Sequence, residues 1–126
     1  MPRKESILKI KTEAFALRVI RLYQYLMKEK HDNVMAKQLY RSGTSIGANV
    51  AESINAQTRA DFITKLSIAL KEANETQYWL QICHQAGFID QRGYDSINND
   101  NEEIIRILVS SIKTARKSIE NDEKEQ

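Results

Sequence analysis

Three spacings in this chain invite a chemical reading. Glu72 and Glu75 stand three apart in a segment of helical periodicity, and a di-iron carboxylate site in a helical bundle draws its ligands from inward-facing Glu-x-x-His pairs. The histidine is missing. Tyr78 stands three residues after Glu75, while His31 and His84 follow Lys28 and Gln81 by three. Cys83 and His84 are adjacent, which would suit a nucleophile and its base, yet neighbouring helical residues point about 100° apart and do not face each other. A half-buried thiol and an exposed imidazole are expected instead. Gly43 and Gly47 lack the Lys-Ser or Lys-Thr that would follow in a phosphate-binding loop. The residue types therefore predict no catalytic residue, no metal and no cofactor.

Two polar surfaces remain. Residues 1–30 hold eight basic side chains against three acidic ones, and Arg18, Arg21 and Lys28 share a helix face, with Lys11 nearby in projection. These four are the candidate phosphate contacts, because clustered Lys and Arg attract a polyanion. The alternative is a solvated face that serves solubility, and Tyr25 is the one aromatic among them. Gln38, Arg41, Ser45, Asn49 and Glu52 form a second polar face. Pointing inward, Arg41 and Glu52 must be paired and Asn49 hydrogen-bonded, because unpaired burial is costly. Such a face would be a structural polar network or a subunit contact. Pointing outward, it is a solvated surface, and direct ligand contact is the third option.

The elements that must position these side chains read as all-α. Pro2 is the only proline, and glycines stand only at 43, 47, 87 and 93, so long stretches lack breakers. Phe15, Val19, Leu22 and Leu26 recur at helical spacing in a first helix from Lys4 to about Lys30. Ala16, Ile20, Tyr23 and Met27 widen its apolar surface beyond what one neighbour covers. A turn at His31, Asp32 and Asn33 leads to a second helix from Val34 to about Ala56, with Met35, Leu39, Ile46 and Val50 as its stripe. Gly43 and Gly47 within it cost about 1 kcal/mol each relative to alanine, which predicts close approach by a neighbouring helix.

Thr58 followed by Asp61 resembles a capping box. It opens a third helix with Phe62, Leu66, Ala69, Leu70, Ala73 and Leu80 inward and Gly87 as its stop. Trp79 falls on another side with Ile68 and Ile82, a placement that suits the bundle interior or a subunit contact equally. Asp90 can cap a fourth helix carrying Tyr94, Ile97, Ile104, Leu108, Ile112, Ala115 and Ile119. The shared face of Ile97 and Ile104 predicts continuity through the weak formers Asn98–Asn101, with a break at Asp100 as the alternative. Residues 120–126 have no apolar side chain and are expected to fray. Short turns make sequential helices antiparallel, which gives an up-down-up-down four-helix bundle as a single domain over residues 1–126.

Composition sets the outer bounds. The chain has 126 residues, 41% of them hydrophobic, with one Cys and a formal charge of +2, a balance that names no partner. No run of about 18 apolar residues occurs, and Met1–Glu5 leads into a mixed-charge segment. A cytoplasmic protein that does not engage a membrane is expected. Cys83 alone cannot close an intramolecular disulfide.

The pairs Gln38-Leu39, Arg41-Ser42, Ser45-Ile46, Ala48-Asn49 and Ala51-Glu52 carry a resemblance. With Asp61-Phe62, Lys65-Leu66, Ala69, Glu72, Glu75-Thr76 and Tyr78-Trp79-Leu80, they are similar to the four-helix bundle protein family. That family includes proteins encoded in intervening sequences of bacterial large-subunit ribosomal RNA genes and, more distantly, accessory proteins of diversity-generating retroelements. The likeness runs from about Phe15 to Leu108, with Ser53 standing where the pattern has Gly. It implies a cytosolic bacterial homo-oligomer, typically a pentamer, and no enzyme. Two functions are expected from it and from the basic first helix. One is binding of structured RNA or a ribonucleoprotein through Lys11, Arg18, Arg21 and Lys28. The other is a protein-interaction scaffold, such as an accessory subunit of a reverse transcriptase, without direct nucleic-acid contact.

Overall fold

The computed structural model describes residues 4–125, with side chains from residue 7 onward. Four helices follow one another as α1 (Lys4–Glu29), α2 (Val34–Ile54), α3 (Arg59–Gln85) and α4 (Gln91–Glu125). Each packs on its neighbours in sequence, and α1 closes the bundle against α4. The chain is thus the antiparallel up-down-up-down bundle that its short turns require.

The punctuation residues act through specific bonds. His31 turns the chain with a φ of 54°, and the Ala36 N–H donates to Asp32 Oδ2 at 2.9 Å to cap α2. The Asp61 N–H donates to Thr58 Oγ1 at 3.0 Å and fixes the start of α3. Gly87 takes a φ of 82°, which lets the Gly87 and Phe88 N–H groups donate to His84 O and Cys83 O, both at 3.0 Å. This pair of bonds is a Schellman closure, and it needs a residue that tolerates positive φ. Asp90 Oδ1 then accepts from the Gly93 N–H at 2.7 Å to begin α4.

Phe15, Val19 and Leu26 from α1 meet Leu39, Ile46 and Val50 of α2, Leu66 and Leu80 of α3, and Ile104 and Leu108 of α4 in one buried core. The glycines of α2 lie against α1. A Cβ on Gly43 would stand 2.7 Å from Val19 Cγ2, and one on Gly47 would stand 3.3 Å from Thr12 O. Their propensity cost is offset by the approach it permits. Between α2 and α3 the buried Thr76 hydroxyl donates to Ser42 Oγ at 3.0 Å.

The fourth helix is continuous through its asparagines. Asn101 lies on the core stripe between Ile97 and Ile104, fully buried, and its Nδ2 donates to Ala73 O of α3 at 2.9 Å. That bond recruits a poor helix former to the interior. The expected loose tail is corrected: α4 runs through Glu125, because Glu and Lys sustain a helix and Asp122 pairs with Arg59. Gln126 lies outside the described residues.

The Gly43 notch generates a sign prediction. Replacing a helix-interior glycine with alanine ordinarily gains about 1 kcal/mol, whereas overpacking a core costs about 1–3 kcal/mol. With Val19 fully buried and unable to swing away, Gly43→Ala is expected to lower Tm. Thermal denaturation of Gly43→Ala, Val19→Ala and the double variant should show a double loss smaller than the sum of the singles. Additive losses, or a Gly43→Ala variant that melts higher, would contradict this packing.

Candidate functional site

Packing divides the basic face of α1 in two. Lys11 and Arg18 lie toward α4: Lys11 Nζ stands 2.5 Å from Glu103 Oε1 and Arg18 Nη1 stands 2.6 Å from Asp100 Oδ2. Arg18 also donates to Ser96 O at 3.3 Å and to Ser96 Oγ at 3.0 Å. Arg21 and Lys28 are exposed, and neither is in an ion pair with a described residue. They share the outward side of α1 with Ile10 and Leu17, at helical offsets of 7, 11 and 18 from Ile10. The sequence-predicted quartet is therefore two neutralised cations and two free ones.

A shallow cavity of about 310 Å³ opens beside this division, lined by Arg18, Arg21, Leu22, Ile89, Gly93 and Ile97. Its floor is apolar and its rim cationic, but Arg18 is already spent on Asp100 and Ser96. Among the described residues no group of three or more His, Cys, Asp or Glu is arranged to hold a metal ion. No helix there is long and apolar enough to cross a membrane.

The second polar face lines the α2–α3 seam. Arg41 Nη1 donates to Glu72 Oε2 at 3.2 Å, and Nη2 donates to Glu75. Glu52 pairs with Lys65 at 3.1 Å. Within α2, Ser45 Oγ donates to Arg41 O at 2.5 Å and Asn49 Nδ2 donates to Ser45 O at 2.9 Å. Gln38 is half-buried, and its carbonyl accepts from Ser42 Oγ at 3.0 Å. Of the five, Arg41 and Glu52 reach across to α3, whereas the bonds of Gln38, Ser45 and Asn49 stay within α2. Arg41 and Glu52 remain exposed, so their pairs fix register rather than supply much stability.

Cys83 and His84 part company. The Cys83 thiol is fully buried, and burial, helped by the nearby Asp32 charge, pushes its pKa up to about 11. His84 is half-buried rather than exposed, because its ring stacks on Tyr94 with centroids 4.6 Å apart. Trp79 packs against the core of its own bundle and edge-on to Tyr78 at 5.1 Å.

Residues 4–110 match the family model described as 23S rRNA-intervening sequence protein. The chain belongs to that family. A crystal structure from Bacteroides thetaiotaomicron, described as a protein with unknown function from the S23 ribosomal protein family, is 52% identical to it. The match covers 88% of this chain and 99% of that chain, with a TM-score of 0.87. None of the curated proteins matches.

In this member of the family, sequence reasoning missed the partners more than the sites. Glu72, Glu75, Asp100 and Glu103 decide which cations are free, yet they lie far along the chain from the bases they bind. Asn101 was also missed as a core residue, although spacings of four and three from Ile97 to Ile104 put it on the core stripe.

The buried thiol carries a testable consequence. In the native state at pH 8, Cys83 is expected to resist a disulfide reagent such as DTNB and to react at once after denaturation. Because the folded pKa lies above the ordinary value of 9.0, the unfolded chain loses this proton first. The thiol's contribution to stability is therefore present below about pH 9 and falls as pH rises toward 11. Rapid native-state labelling at pH 8 would contradict the assignment.

Proposed function

We propose that this protein is a non-enzymatic homo-oligomer, a pentamer by family resemblance, which binds structured RNA or a ribonucleoprotein in the cytosol. The outward side of α1 supports this reading. Ile10 and Leu17 are 65% and 56% exposed, an apolar stretch that burial against another copy would cover. About one and three turns beyond Leu17, Arg21 and Lys28 project without carboxylate partners. Such cations give affinity through phosphate contacts without reading sequence. Lys11 and Arg18 contribute less, since each must first give up its carboxylate on α4.

The two free cations on this face are a weak attractor alone. Repeated around a ring, they become a belt whose contacts on one RNA are linked, so affinity multiplies without new chemistry. The reading assigns Gln38, Arg41, Ser45, Asn49 and Glu52 to the α2–α3 seam.

Fluorescence anisotropy of a labelled RNA hairpin, titrated with the protein at about 50 and 200 mM salt, tests the reading. Phosphate contacts predict affinity at least about tenfold weaker at the higher salt. The variant Arg21→Glu/Lys28→Glu should bind more weakly than Arg18→Ala, at unchanged helicity and mass. Absence of binding at low salt by the folded protein would contradict it and favour a scaffold for protein partners.

A further inference from the structure

From Ile104 to Ile119 the chain has no acidic residue. The acids of α4 lie on either side of this stretch, so they cancel its charge in any tally of the whole helix. Within it stand Arg106, Lys113, Arg116 and Lys117, all exposed, and none is in an ion pair with a described residue. Helical offsets of 7 and 11 from Arg106 bring Lys113 and Lys117 within about 20° of its direction. These three lie opposite the buried stripe of Ile104, Leu108 and Ile112. They form a rigid outward ridge about 16 Å long at 1.5 Å per residue, with Arg116 on its flank.

We propose that this ridge is a contact surface for the phosphodiester backbone of RNA. The inference rests on the RNA-binding reading above and moves part of the contact from α1 to α4. Lys11 and Arg18 are held by carboxylates, whereas the ridge presents cations that displace no protein partner when they meet phosphate. Its length matches several successive phosphates of one strand, at about 3.4 Å of axis each. A lipid surface fits less well, because membrane-lying helices bury an apolar face and that face of α4 is inside the bundle. Val109, 48% exposed, is the one apolar side chain large enough to insert. An acidic protein partner would call for a pocket or aromatic anchor beside the charges, and the cavity at Arg18 and Arg21 lies at the other end of α4.

The test compares three full-length proteins with one labelled RNA hairpin across 50 to 200 mM salt. They are the wild type, Arg106→Gln/Lys113→Gln/Lys117→Gln, and Arg21→Gln/Lys28→Gln. Circular dichroism and solution mass confirm fold and assembly, and neutral glutamine at exposed sites keeps helix propensity. The ridge variant is expected to bind at least about tenfold more weakly at 50 mM, with the slope of log affinity against log salt reduced by about two to three. Wild-type affinity and slope in the folded ridge variant, with loss in the α1 variant, would overturn the ridge and leave the RNA reading standing. Failure of the wild type to bind RNA at 50 mM would overturn both. Sedimentation of the wild type with phosphatidylserine vesicles at salt where RNA is not bound would also overturn the ridge as a nucleic-acid surface.

Discussion

A close approach of two helices, α1 on α2 at Gly43, sets the orientation on which the remaining surfaces depend. Val19 fills the space where a Cβ would stand, so α1 is held at one rotation about its axis. That rotation turns Phe15 and Leu26 into the core and aims Lys11 and Arg18 at the acids of α4. It leaves Ile10, Leu17, Arg21 and Lys28 outside. A single steric fit in the core thereby decides which of four basic side chains keep a free charge.

The electrostatics follow from that geometry. The ion pairs are exposed or half-exposed, a setting in which each contributes little to stability, and their effect is to sort charges. Arg41 with Glu72 and Glu75, and Glu52 with Lys65, tie α2 to α3 in register. Lys11 with Glu103, and Arg18 with Asp100, close the α1–α4 seam. Arg21 and Lys28 of α1 and Arg106, Lys113 and Lys117 of α4 remain unpaired on outward ridges, where a polyanion would meet them without first displacing a carboxylate.

Helix boundaries, caps and core were legible because they rest on local rules. Thr58, Gly87 and Asp90 announce their bonds within three or four residues, and the stripes of Phe15, Leu39, Leu66 and Leu108 repeat at the helical period. The glycines of α2 predicted a close neighbour correctly, since their cost required an offset. Charge pairing was not legible in the same way. Arg18 and Asp100 are 82 residues apart, and only the assembled bundle joins them. Residues 120–125 depart from the fraying expected of an apolar-free segment, because Glu and Lys are good helix formers and Arg59 supplies a partner for Asp122. The α4 ridge is invisible to a charge total over the helix, because the acids on either side of residues 104–119 offset its bases.

The unpaired cations of α1 and α4 form only short ridges on each chain, so in the proposed reading strong RNA binding depends on several copies acting together. Multi-angle light scattering of the purified protein at micromolar concentration measures this directly. A defined species at five times the 14.6 kDa chain mass is the expected result. A monodisperse 14.6 kDa monomer would contradict it, because Ile10 and Leu17 would then face water and the cations of one chain would act alone.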